Sequence, residues 1–292
     1  MHKSDRRNQF CFGLGTIGRD MFYTLESMYL LYYLTEIRRL DDAMLALVGG
    51  VLTVLRIVDA FNDPVTGVII DNTHTRWGKF KPWMLTGALL SAACLLLMFA
   101  DLPLAGAAYV VVFGLSYILW DIFYGVNDIA YWTQLPALSV DQQSREKMGA
   151  TARFCANVGM FSVVVGVLPV TGMLTDAFGG DGQRAWFTFA VVVSLLMIGF
   201  QMITVFGVKE TQTFKEEEKT SFRELGKVLF QNDQLLWTAI SMALFMIGYS
   251  TTTSFGTYYF KYAYGDEGMY MVFAAVLAVA QLTALSVFPL FR

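Results

Sequence analysis

Eight long apolar stretches separated by short polar links take up most of this chain, and they leave few folds open. They fall at roughly 10–36, 43–70, 83–100, 107–135, 149–174, 185–208, 235–262 and 268–290. About 20 consecutive apolar residues make a helix long enough to cross a bilayer. Within hydrocarbon, only helices and closed barrels satisfy their own backbone hydrogen bonds, and runs of this length specify helices. The expected fold class is therefore all-α integral membrane. Composition supports it: 15% of residues are charged, against ~25% in a typical soluble domain. Cys11, Cys94 and Cys155 are scattered, without disulfide or metal-ligand spacing. The short basic head, His2 to Asn8, leads into the first stretch without a small-residue cleavage site, so that stretch is expected to be a retained span.

The second stretch is the least ordinary. VLTVLRIVDAFNDPVTGVIID (51–71) carries Arg56, Asp59 and Asp63. At i, i+3 and i+7, with Thr66 beyond, they form one polar stripe on an apolar helix. An ionised group in hydrocarbon costs at least ~2.5–3.5 kcal/mol, so such residues usually face a protein interior or a watery path. Two carboxylates one turn apart repel unless a cation lies beside them. Two readings stand at this point: Arg56 pairs with one aspartate as structural glue, or the pair holds a coupling cation. Pro64, just past the charges, is expected to loosen the helix.

Other spans add polar groups. The first has Arg19, Asp20 and Glu26, with Asp20, Thr24, Ser27 and Leu31 along one face. The fourth has Asp121, Tyr124, Asn127, Asp128 and Trp132; Asp121 and Asp128 share a face, and Trp132 lies one turn beyond Asp128. The fifth has Arg153 and Asn157. Six intramembrane acids against three bases suit a cation together with a neutral polyhydroxy solute. A carboxylate accepts two hydroxyl hydrogen bonds, and an indole stacks on the apolar face of a sugar; Asp20, Asp128 and Trp132 have that chemistry. The plainer alternatives are local Arg19–Asp20 pairing at the membrane edge and an interfacial belt position for Trp132. No nucleophile–base pair, phosphate-binding loop or metal-ligand cluster is visible, and GLGTIG in the first span has no preceding strand. The chain does not read as an enzyme.

The links set organisation and orientation. Residues 209–234, with KEEEK and an amphipathic segment at 221–230, read as a solvated linker between a six-span bundle (1–208) and a further part (235–292). With the N-terminus inside, inner segments hold thirteen basic residues and outer links four, which favours a cytoplasmic N-terminus. Six spans, a linker and two more match a complete N-terminal half and about two helices of a C-terminal half in a major facilitator fold, whose halves are built from three-helix repeats. The expectation is a truncated or partial transporter.

Four segments carry a family resemblance: RIVDAFNDPVTGVIID with RWGKFKPW, YILWDIFYGVNDIAYWTQLP, GRD in the first span and the Arg153–Phe154 pair. With them, essentially the whole chain resembles the glycoside–pentoside–hexuronide:cation symporters of the major facilitator superfamily. The resemblance implies symport of a sugar or glycoside with Na+, Li+ or H+ in the cell inner (plasma) membrane. It implies Asp59 and Asp63 as cation ligands, with Arg56 in the charged network beside them. Asp20, Asp128, Trp132, Arg153, Arg19 and Tyr124 would contact sugar, Arg19 taking the place of a family lysine. The 76–82 loop would help lock the two halves in one state. Gly125 departs from the pattern, standing where a family member has a threonine at the cation site; Ser27 replaces a tyrosine, and Glu26 and Asp121 are additional carboxylates. No cofactor is expected beyond the coupling cation. The expected partners are a sugar, a monovalent cation and the bilayer, with no nucleic acid, and a monomer at full length. The rival expectations are a cation-independent facilitator or exporter and a non-transporting membrane protein.

Overall fold

The computed structural model describes residues 3–73, 75–104, 106–210, 232–266 and 268–287. The chain divides into two compact units, residues 1–212 with 274–292, and residues 213–273. In the first unit, α1 is Lys3–Tyr32, prolonged by a π turn at Tyr33–Ile37. It is followed by α2 (Asp42–Asp71), α3 (Lys81–Phe99), α4 (Gly106–Gln134, with a 3-10 turn at Leu135–Leu138), α5 (Gln142–Ala177) and α6 (Gly182–Gly207). The second unit contains α7 (Asp233–Tyr258), a π turn at Tyr259–Tyr264 and the start of α8 (Met269–Val287). Five helical segments among the described residues are long and apolar enough to cross a membrane: α3, α4 with its 3-10 turn, α5, α6, and α7 with its π turn. Helices α1 and α2, 30 residues each, are the ones that carry the clustered charges.

Side-chain caps explain where several helices begin. Asp41, Asp141, Asp181 and Asn232 accept hydrogen bonds from the amides of Met44, Ser144, Arg184 and Leu235 at 2.9–3.1 Å, satisfying donors that lack an intrahelical partner. The Asp141 cap lengthens α5 beyond expectation: residues 136–148 were expected as a link, yet the helix starts at Gln142. Hydrogen bonds from the Ser144 hydroxyl and amide hold the Asp141 carboxyl below the usual aspartate range. The anionic cap therefore persists through neutral and mildly acid pH, and is lost only as pH falls through that depressed value. Helix α2 runs on through Pro64 without a break in its assignment, where a loosening was expected. The amphipathic segment expected at 221–230 and His74 lie outside the described residues.

The first unit is built around α1, which packs along α5 and α6. Helix α3 packs on α4 and α6, and α2 on α4. Glycines let the backbones approach. A Cβ at Gly159 would sit 2.2 Å from the Ile17 carbonyl oxygen, and one at Gly18 would sit 2.8 Å from both Leu196 O and Met197 Cα. Small residues at such crossings are how helices in lipid gain close packing. Hydrogen bonds then join the helices. Thr16 donates to Ala152 O at 2.8 Å, Thr204 to Cys11 O at 2.9 Å, Tyr29 to Val164 O at 3.1 Å and Tyr131 to Phe12 O. Asn8 donates to Leu138 O and Lys209 O and accepts from the Lys209 amide, fastening the start of α1 to the segments after α4 and α6. In the 76–82 loop, Lys81 donates to Val208 O at 2.8 Å, and Gly78, at φ +104°, lies beside the Glu210 carboxylate.

In the second unit α7 is apolar and almost wholly exposed; Thr253 and Thr257 are its buried residues. Tyr270 donates to Thr253 O at 3.1 Å, and its ring lies where a Cβ on Gly256 would fall.

The α1–α5 crossing generates a stability prediction. Gly159→Val should lower the thermal midpoint of the detergent-solubilised chain by at least the several degrees that ~1–3 kcal/mol of overpacking implies. Gly166→Ala, in the same helix with open space around its Cβ position, should be neutral or gain up to ~1 kcal/mol. Equal midpoints for Gly159→Val and the parent chain would contradict the packing described.

Candidate functional site

Helix α1 meets its neighbours in two ways. Against α5 and α6 it packs backbone to backbone, whereas α2 and α4 reach it mainly through long side chains. Those side chains enclose a cleft lined by Tyr23 of α1, Arg56 and Asp63 of α2, and Trp120, Asp121, Tyr124, Gly125, Asp128 and Ile129 of α4. Its empty space is about 470 Å³, counting the part open to solvent. The spacing on α4 is i, i+1, i+4, i+5, i+8 and i+9, one continuous helical face.

An ion pair stands at each side. Arg19, 2% exposed, contacts Asp128, whose side chain is 40% exposed toward the cleft. The Arg19 guanidinium lies 4.3 Å from the centre of the Tyr131 ring and 5.8 Å from that of Trp132. Arg153 of α5 lies 4.6 Å from the Trp132 ring centre. Arg19 Nε and Nη1 are buried without hydrogen-bond partners, which is costly for a charged donor and marks a place that an acceptor would stabilise. The second pair joins Arg56 to Glu26 at 3.3 Å. Glu26 is 3% exposed, and the Arg56 side chain is 45% exposed.

Between the pairs lies an aromatic wall. Tyr124 stacks on Trp120 with ring centres 5.3 Å apart and planes at 7°, and on Tyr23 at 5.3 Å and 19°. Such offset stacks give rigid surface at modest entropic cost. Asp63 faces α4 where α4 is thinnest: a Cβ on Gly125 would lie 3.7 Å from Asp63 Oδ1.

Of the residues singled out from sequence, the cleft brings together Arg56, Asp63, Asp121, Tyr124, Gly125 and Asp128. Arg19, Trp132 and Arg153 form an adjoining cluster reached through Asp128. Asp20 is part-buried and interacts electrostatically with Arg19, Arg153 and Asp128. Asp59 keeps its place on α2 one turn from both Arg56 and Asp63, and its side chain lies outside the described residues. Arg56 forms an ion pair with Glu26 of α1. Three groups went unassigned in the sequence: Tyr23, Glu26 as an arginine partner, and Trp120. Arg19, Tyr23 and Glu26 are spaced four and three apart, so the signal was present as a second face of α1, about 100° round from the Asp20–Thr24–Ser27–Leu31 face.

The MFS/sugar transport protein family matches residues 11–291. A lactose permease of Lactobacillus delbrueckii subsp. bulgaricus is 33% identical over 292 residues, which is 97% of this chain and 47% of the permease. A raffinose carrier protein of Pediococcus pentosaceus is 33% identical over 292 residues, covering 95% of this chain and 46% of the carrier. A putative glycoside/cation symporter of Escherichia coli K12 is 24% identical over 228 residues, covering 78% of this chain and 48% of the symporter. The chain thus spans about half the length of the curated relatives it matches. These relatives are transporters rather than enzymes, and the apolar helices fit a multi-pass membrane protein. Family match and relatives together place the chain in the MFS/sugar transport protein family, among the glycoside–pentoside–hexuronide:cation symporters of the major facilitator superfamily.

Proposed function

We propose that this chain belongs to a secondary transporter that moves a sugar or glycoside together with a monovalent cation, Na+, Li+ or H+, by alternating access. The observation that carries this reading is the cleft itself. It is lined by both Asp63 and Asp128, and the Arg19 paired with Asp128 lies near Trp132. Asp128 accepts two sugar hydroxyls, Arg19 donates through its unpartnered nitrogens, and Trp132 offers an apolar face, with Arg153 stacked on it and Asp20 close by. Tyr124 forms the side wall. The lactose and raffinose transported by the named relatives are the first sugars to try.

The cation binds at Asp59 and Asp63. Neutralising two carboxylates one turn apart removes their repulsion and lowers the cost of enclosing the site away from water. A sugar-loaded site without its cation keeps that repulsion and crosses at high cost, which couples sugar movement to the cation. The distribution of basic residues supports an N-terminus on the cytoplasmic side of the plasma membrane.

Binding measurements on the 292-residue chain in nanodiscs test this. Lactose and raffinose are titrated by tryptophan fluorescence and calorimetry in Na+, in Li+, in N-methylglucamine, and across pH. Sugar affinity should rise by ~5–150-fold with the coupling cation. Asp63→Asn should abolish that rise while sugar binding without cation survives. Cation-independent affinity in the parent chain would favour the facilitator reading.

Two further outcomes separate the subsites. Asp128→Asn should weaken sugar binding by ~10–150-fold, the worth of a charged hydrogen bond at ~1.5–3 kcal/mol, and leave the cation concentration for half-effect near the parent value. Gly125→Thr places a hydroxyl beside Asp63 and should lower the Na+ concentration for half-effect; no change would remove Gly125 from the cation site.

A further inference from the structure

A sugar ring held by Asp128 and Trp132 leaves part of the cleft lining without a task. On α1, Phe22, Thr24, Leu25 and Glu26 are all buried, yet Tyr23 among them is 38% exposed and lines the cleft. A ring that only filled the wall would be covered as its neighbours are. Tyr23 is backed by Tyr124, with ring centres 5.3 Å apart and planes at 19°. Tyr124 is backed in turn by Trp120 at 5.3 Å and 7°, and by Phe22 at 6.0 Å and 24°. Trp120 and Phe22 are wholly buried. The stack therefore runs from sealed interior to open cleft, and Tyr23 is its outermost ring.

That ring has the properties of a platform for a pyranose. The rings behind it hold it in place, so little side-chain freedom remains to be lost when a ligand lands. The face of an aromatic ring is negative, which suits the weakly positive C–H hydrogens on the apolar face of a sugar. Arg56 interacts with Tyr23 and is half-exposed in the cleft. Its Nη2 donates to Glu26, and a guanidinium carries further N–H donors that suit a sugar hydroxyl.

Position adds to the chemistry. Tyr124, the ring behind Tyr23, precedes Asp128 on the same face of α4 by four residues, about 6 Å of helical rise. Trp132 lies one turn beyond Asp128 in the other direction. Asp128 thus stands between two aromatic surfaces, each about one turn away, which is the order of separation between adjacent rings of a glycan. A single hexose at Asp128 and Trp132 would leave Tyr23 uncovered, whereas a glycoside of two or more rings would cover both surfaces.

We propose that Tyr23 forms a second saccharide subsite, which makes the cleft selective for glycosides of two or more rings over single hexoses. This rests on the sugar reading of Asp128 and Trp132. The first ring is held there, and the second lies with its apolar face on Tyr23.

The test uses the 292-residue chain in nanodiscs at saturating coupling cation. Galactose, lactose and raffinose serve as probes of one, two and three rings, read by calorimetry. Tyr23→Ala should weaken lactose and raffinose by about 10-fold, the worth of one aromatic contact and its buried area, and should leave galactose within about 2-fold of the parent chain. Tyr23→Leu, which keeps apolar bulk against Tyr124 without the flat face, should behave as Tyr23→Ala does. Tyr23→Phe keeps the ring and should bind all three sugars as the parent does. A role confined to packing would weaken the three alike. Equal losses for all three sugars, or unchanged lactose affinity in Tyr23→Ala and Tyr23→Leu, would overturn the proposal. Should neither variant fold, saturation-transfer NMR on the parent chain decides: saturation passed from aromatic protons to both rings of lactose supports the subsite, and saturation confined to one ring overturns it. Asp128→Asn reports separately on the underlying reading, because it should weaken galactose and lactose by the same factor. If it leaves both unchanged, or if the parent chain binds none of the three sugars, the sugar site itself is wrong and the subsite falls with it.

Discussion

A guanidinium buried in an apolar helix bundle needs a carboxylate, and much of this site follows from that requirement. Arg19 sits on the helix that packs against both α5 and α6, almost sealed from solvent. Taking such an ion out of water costs several kcal/mol even after relaxation. Asp128 answers the charge, and the Tyr131 ring lies against the guanidinium face. The pair fixes where α4 stands relative to α1. The rings of Tyr23, Tyr124 and Trp120 then fill the wall beside it, and the remaining gap is the cleft. Two guanidinium nitrogens stay without partners.

Charge balance gives the cleft its second property. Across α1, α2 and α4, Arg19 and Arg56 face Asp20, Glu26, Asp63, Asp121 and Asp128, before Asp59 is counted. Among the described residues Arg19 pairs with Asp128 and Arg56 with Glu26, and the carboxylates on these helices outnumber the guanidinium groups. A mobile cation is the simplest way to balance that excess. A neutral polyhydroxy solute is the kind of second ligand that would leave that balance alone, which gives cation and sugar a physical reason to share one cavity.

The membrane class, the helices and the polar stripe on α2 were legible because long apolar runs and helical periodicity are local signals. Helix starts were less so: α5 begins at Gln142 because Asp141 caps it, a contact that competes poorly for notice in a polar stretch. The site was legible in its members more than in its pairings. Arg56 lies one turn from Asp59, the neighbour that the local sequence points to; its ion pair with Glu26, thirty positions away, follows from the placement of α1 opposite α2. Arg19 stands next to Asp20 in sequence, yet successive side chains diverge by about 100° on a helix, so it reaches across to Asp128 instead. Gly125 was noticed for what it lacks, and its significance depends on its closeness to Asp63.

The central claim is that cation and sugar occupy one energetically linked site, and linkage has a signature that no contact list imitates. In a single nanodisc preparation, calorimetry can measure the Na+ or Li+ dissociation constant with and without saturating sugar, and the sugar dissociation constant with and without saturating cation. The account predicts that sugar tightens cation binding, and by the same factor as cation tightens sugar binding. A cation affinity indifferent to sugar, in a chain that binds both, would contradict it.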